Sequence, residues 1–257
     1  MTRGGERRSR RASCAGGSHG RGFWSDVGEF FAALFAQVAV TLGLGSSASS
    51  RAYAISDAQK FKLNALALRA CVAFDGERME HTDALRKLWR LALGGEAPKD
   101  LKSERWKEMG WQGTSPETDF RAGGYMSLEN LVWFAEKEPE RFKALSTKAN
   151  GRRSQFEYPF AVAGVNLTFN LVEMFEVKQE GPTTAAGACF ARLIDLDDEA
   201  FERVYVLAFE TLDREWLSYP GGATYMEFPV VLKATKERLA RAMNEAKTLE
   251  EVRANLD

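Results

Sequence analysis

At 257 residues and 45% hydrophobic content, the chain is long enough to bury a full core. Its formal charge of −1 divides into +5 for residues 1–22, where six Arg face one Glu, and −6 for the rest; an acidic body lacks the basic face of a nucleic-acid binder, so no nucleic-acid partner is expected. A catalytic triad would have to rest on His81 alone, because His19 lies in the tail, and Cys14, Cys71 and Cys189 sit too far apart for a zinc cluster. With no G-x-x-x-x-G-K-[ST] loop either, neither a cofactor, a metal nor intrinsic nucleotide hydrolysis is expected.

Residues 1–22 are Arg, Ser and Gly with almost no apolar content. Burial cannot offset their ordering entropy, and a disordered basic tail is expected. From Phe23 to Leu44 the composition reverses: Val27, Phe30, Phe31, Leu34, Phe35, Val38 and Leu42 recur at helical spacing, with Gly28, Ala32, Ala33 and Ala36 opposite. This apolar run is shorter than the roughly 20 residues needed to cross a bilayer. The segment suits close packing on the core, peripheral contact of residues 23–44 with a membrane, or, with Ala52-Tyr53-Ala54 as a cleavage-like site, organelle targeting.

The Gly/Ser-rich stretch from Gly43 to Ser50 marks the main boundary, so that residues 51–257 form the principal domain. Ser56-x-x-Gln59 forms a capping box that opens a helix to about Phe74, which Asp75-Gly76 ends. A second helix is expected to start at Thr82 and stop at Gly94-Gly95, with Leu85, Leu88, Trp89 and Ala92 on one side and His81 as a cap or core residue. Cys71 and Cys189, in apolar surroundings, read as buried free thiols.

Trp106 to Phe134 is the stretch around which the chain is organised. Gly110, Gly113, Pro116, Gly123 and Gly124 punctuate a structured loop, after which Leu128, Leu131 and Phe134 fall at helical spacing. Arg121 stands between Asp119-Phe120 and Gly123-Gly124, just before that helix. Such a place suits a guanidinium that projects from a rigid turn.

Beyond it, Glu136 to Arg141 is a charged face with Pro139 opening a short helix, and Asn150-Gly-Arg-Arg153 is a basic turn. Tyr158-Pro159-Phe160 leads into an apolar helix over 161–175. Asn166 on that helix must be hydrogen-bonded if buried and would tie helix to loop; the sequon Asn166-Leu167-Thr168 falls in the same run and is expected to be inaccessible. Gln179 to Gly187 reads as a loop, and Asp195 or Asp197 as the cap of a long helix with Phe201, Val204, Tyr205, Ala208, Leu212 and Trp216 on one stripe. After Tyr219-Pro-Gly-Gly222, a helix from about Met226 and a short one capped by Thr248-x-x-Glu251 complete an all-α fold.

The segment Trp106, Gly110, Gln112, Pro116, Thr118, Asp119, Phe120, Arg121, Gly124, Leu128 and Leu131 matches in register the pattern W-x3-G-F-Q-x3-P-x-T-D-F-R-G-x-G of the ELMO domain family. Trp111 replaces the usual Phe of that pattern, and Ala122 the usual Gly. Tyr158 to Gly164 with Asn166 resembles a second segment of the same family, and His81, Leu88 and Trp89 also match positions often seen there. The resemblance spans roughly residues 56–240. It implies an all-α, multi-helix domain in a cytoplasmic protein. It also implies activation of GTP hydrolysis on a GTP-bound Arf or Arf-like small GTPase, with Arg121 supplied in trans as an arginine finger. By the chemistry of the residues themselves, Asp119, two positions away, would either lock Arg121 in a structural ion pair or hold its guanidinium ready, Gln112 and Thr118 would brace the loop through backbone hydrogen bonds, and Trp106, Trp111 and Phe120 would plug the core beneath it. The alternative from the same family is a non-catalytic adaptor, as in the larger ELMO proteins of exchange-factor complexes for Rac.

Overall fold

The computed structural model describes residues 52–148 and 157–257. The basic tail, the apolar segment 23–44, the Gly/Ser linker, Cys14, His19 and the Asn150–Arg153 turn lie outside these residues.

Helix α1 (Asp57–Ala70) opens on the expected box: the Gln59 N–H donates to Ser56 Oγ at 3.1 Å, and the Ser56 N–H donates to Gln59 Oε1 at 2.9 Å. It stops four residues short of Phe74 for a tertiary reason. Val72 leaves the helix so that its carbonyl accepts the Tyr125 N–H at 2.9 Å, and Phe74 stacks on Phe120 with ring centroids 4.7 Å apart. Cys71, turned out at that end, is exposed rather than buried as expected, whereas Cys189 is buried and its thiol reaches the Ala246 carbonyl.

Helix α2 (Met79–Leu93) begins three residues before Thr82, because the Arg78 carbonyl already accepts the N–H groups of His81 and Thr82. Two 3-10 helices, Glu104–Met109 and Pro116–Arg121, carry the glycine-punctuated loop to α3 (Gly124–Lys137). Helix α4 (Pro139–Thr147) follows, with proline in its first turn, where a missing N–H costs nothing.

Helix α5 (Phe160–Met174) is the central element. From Phe160 to Val172 every residue but Phe169 is buried, and a helix apolar on all sides can only sit inside the bundle. It packs on α3 and on α7 (Ala200–Leu217). The whole stripe expected on α7, from Phe201 to Trp216, is buried. The Glu199 N–H at its start donates to Asp197 Oδ1 at 2.8 Å.

Between them runs a helix that the loop expected at Gln179–Gly187 overlaps, α6 (Ala185–Leu196). Thr184 caps it, and Glu176 accepts the N–H groups of Thr183 and Thr184 just before it. The 3-10 turn Tyr225–Glu227, α8 (Phe228–Met243) and α9 (Leu249–Leu256) close the bundle, with Thr248 capping α9. Helix α1 packs on α6, α2 on α3, and α8 on α6, α7 and α9. There is no strand among the described residues, and no helix among them is long and apolar enough to cross a membrane.

Candidate functional site

The loop from Leu101 to Gly124 is built on a chain of aromatic rings. Trp89 meets Trp106 edge-on at 4.9 Å, Trp106 meets Trp111, Trp111 meets Phe120 at 5.1 Å, and Phe120 stacks on Phe74. Trp106, Trp111 and Phe120 are buried beneath the loop. The indole N–H of Trp106 donates to the Leu101 carbonyl at 2.9 Å. That of Trp111 finds no partner among the described residues, an unmet donor that the usual Phe would not bring.

Gly110 closes the first 3-10 helix at φ +85°, and a Cβ there would lie 2.5 Å from the Phe160 nitrogen. Only glycine lets the loop rest on the Pro159-Phe160 backbone, so the two family-like segments touch at this point. Gly124, at φ +60°, lies against the Val72 carbonyl. Ala122 has ordinary right-handed helical angles, so its extra methyl meets no backbone demand for glycine.

Within the loop the Gln112 N–H donates to Asp119 Oδ2 at 3.0 Å. Burial pushes the Asp119 carboxyl up to about 6, against the opposing pull of that bond and of the Arg121 charge. Gln112 thus braces the loop through its backbone. Thr118 is exposed and makes no side-chain hydrogen bond among the described residues, and Pro116 is buried at the start of the second 3-10 helix.

Arg121 ends that 3-10 helix. It is exposed and forms no ion pair or hydrogen bond with any described residue. With about three residues per turn, positions two apart point in different directions. Asp119 therefore turns inward to the Gln112 N–H and leaves the Arg121 guanidinium to solvent. A free planar fork of N–H donors suits recognition of phosphate or carboxylate oxygens.

Asn166 does not join this surface. It is buried, and its side-chain amide donates to the Val162 carbonyl of its own helix at 2.9 Å, so it does not tie helix to loop as expected. The sequon's Thr168 is also buried.

Sequence reasoning missed the props behind the loop. The Asp75 N–H donates to His81 Nδ1 at 2.9 Å, and the His81 ring stacks on Tyr125 at 3.8 Å, next to the Gly124 turn. Burial, with the Arg78 charge, lowers the His81 pKa and keeps the ring neutral as an acceptor. The signal for Val72, Phe74 and Tyr125 was only their apolar or aromatic type; their roles depend on contacts distant in sequence.

Comparison with known proteins places this loop in context. The model of the ELMO/CED-12 family matches residues 64–232, which include both the loop and the Tyr158–Asn166 segment. The chain belongs to this family.

Among its ELMO relatives, ELMO domain-containing protein A of Dictyostelium discoideum is 33% identical over 208 residues, covering 74% of this chain and 21% of that protein. Protein C of the same organism is 29% identical over 226 residues, covering 84% and 35%. Human ELMO domain-containing protein 2 is 34% identical over 95 residues, 37% of this chain and 32% of that protein. The chain thus spans between a fifth and about a third of the length of these relatives. The ELMO family is connected in general with small GTPases.

Proposed function

We propose that this ELMO domain accelerates GTP hydrolysis by an Arf or Arf-like small GTPase, with Arg121 inserted beside the γ-phosphate of the partner. The observation that carries the reading is a single one: Arg121 is exposed and without an ion-pair partner among the described residues, on a loop clamped from below by rings and from the side by Asp119. Charge builds on the bridging and equatorial phosphate oxygens in the transition state, and fixed guanidinium donors stabilise it without reorganising solvent. A finger of this kind is worth about 10³- to 10⁵-fold in rate, or about 4–7 kcal/mol of barrier. The side chains of Gln112, Thr118 and Glu117 lie on the same loop and would meet the partner's surface.

The test is single-turnover GTP hydrolysis across a panel of Arf-family GTPases. Stimulation by the native chain, lost in Arg121→Lys and Arg121→Ala, is the expected result. Lysine offers one hydrated point charge in place of a planar fork. Stimulation that survives Arg121→Lys would remove the finger, and a chain that binds GTP-loaded GTPase without stimulating it would be an adaptor instead.

A further inference from the structure

Helix α1 is apolar on two sides. Leu63 and Leu66 are buried in the core, while Phe61 and Leu68 are 75% and 73% exposed. Seven residues apart, these two stand on one stripe, with exposed Ala65 between them. A shallow hollow of about 180 Å³ runs beside the stripe, lined by the apolar Phe61, Ala65, Leu66 and Ile194 and by the charged Lys62, Arg69 and Asp198. Its flank is fixed: Lys62 Nζ donates to the carbonyls of Ile194 and Asp195 and pairs with Asp198 at 2.9 Å, fastening α1 to the end of α6. Single exposed apolar residues are ordinary, but a large aromatic and a leucine aligned beside a preformed hollow mark a face built to be covered.

We propose that residues 23–44 of the same chain cover this face. The described chain starts at Ala52, and the Tyr53 N–H is held by the Pro182 carbonyl at 2.8 Å, immediately before α1. From Leu44 to Tyr53 is nine residues, a reach of at most about 30 Å. Helix α1, at 14 residues, is about 21 Å long. A segment tethered there therefore reaches every point of the stripe. The tether is Gly/Ser-rich and allows the chain to reverse direction.

The segment's apolar residues from Val27 to Leu42 recur at helical spacing over 16 residues, close to the length of α1. The small residues Gly28, Ala32, Ala33 and Ala36 between them permit close approach. Covalent tethering raises the local concentration to the order of millimolar, so modest apolar burial is enough.

A photo-reactive p-benzoylphenylalanine at position 61 of the full chain, and separately at position 68, tests this. Both positions are exposed, so neither probe disturbs the core. Irradiation with and without phosphatidylcholine/phosphatidylserine vesicles is followed by mass spectrometry of the products. The expected result is cross-linking within one chain to peptides from residues 23–44, lost in the Phe31→Ser/Phe35→Ser double variant and unchanged by vesicles. Cross-links to lipid, to a second copy of the chain, or to no peptide of that segment would overturn the proposal.

Discussion

The backbone N–H of Gln112 donates to the carboxylate of Asp119 across seven residues of loop, at 3.0 Å. A buried charge thus fixes the turn from which Arg121 projects, with no cation at contact distance among the described residues.

This arrangement predicts an unusual pH dependence. The folded Asp119 carboxyl lies at about 6, whereas an unfolded Asp titrates at about 3.9. Between these values the folded state holds more protons than the unfolded one, so this group's contribution to stability falls as pH rises through the window and is fully lost above it. The cost at pH 7 is about 3 kcal/mol, taking two units at 1.36 kcal/mol each. Asp119→Asn keeps an acceptor for the Gln112 N–H and removes the charge. Urea denaturation should show the variant about 2–3 kcal/mol more stable than the native chain at pH 7, the bond from the Gln112 N–H being already counted in where the folded carboxyl titrates. The two should converge near pH 4. A gap that does not depend on pH would rule out the buried charge as its source.

Arg121 predicts the opposite pairing of effects. Because it makes no hydrogen bond or ion pair with a described residue, Arg121→Ala should alter stability by no more than about 0.5 kcal/mol. Its charge does reach Asp119, whose pKa it lowers. The Asp119 titration midpoint, followed by carbon NMR of the carboxyl, should therefore move up in Arg121→Ala while the melting temperature stays put. A large drop in melting temperature would mean that Arg121 holds the loop together.

Two glycines with the same backbone angle separate strain from packing. Gly110 and Gly222 both have φ +85°, but a Cβ on Gly110 meets the Pro159-Phe160 backbone, while nothing lies within 4 Å of one on Gly222. Gly222→Ala should cost about 1–2 kcal/mol for the left-handed conformation alone. Gly110→Ala should cost at least about 3 kcal/mol, because rigid backbone must move as well. Equal losses in denaturant midpoint would show that the two segments do not rest on each other at Gly110.

Much of this design was legible in the sequence where the deciding physics is local. The Ser56-Gln59 box and the Thr248 cap each need only three residues' spacing, and the stripe on α7 needs only helical periodicity. The loop's aromatic and glycine positions were likewise visible, because special residue types mark special geometry. What escaped reading was set by distant contacts. Val72 ends α1 early because its carbonyl is needed by Tyr125, 53 residues on. Helix α6 opens Ala-Ala-Gly-Ala, where buried small residues give little periodic contrast, and the Gly/Pro/Thr run before it masked its start. Asn166 looked like a tie between elements, but a helix offers its own carbonyl four residues back, and the side chain took it.

The interior offers one further test, at Gly164 and Tyr205. A Cβ on Gly164 would come within 2.4 Å of the Tyr205 hydroxyl, 3.0 Å of Leu131 and 3.1 Å of Phe209. That hydroxyl is buried without a hydrogen-bond partner among the described residues, and burial drives its pKa well up, so it stays neutral. Tyr205→Phe removes an unmet polar group and should be neutral or stabilising by up to about 1 kcal/mol. Gly164→Ala should cost about 1–3 kcal/mol in the native chain from overpacking. In the Tyr205→Phe background the nearest clash is gone, so the same change should cost less, by an interaction energy of about 0.5 kcal/mol or more. A double-mutant cycle in urea measures this. Strict additivity would show that the packing around Gly164 gives way elsewhere, at Leu131 of α3 or Phe209 of α7, before the hydroxyl is felt.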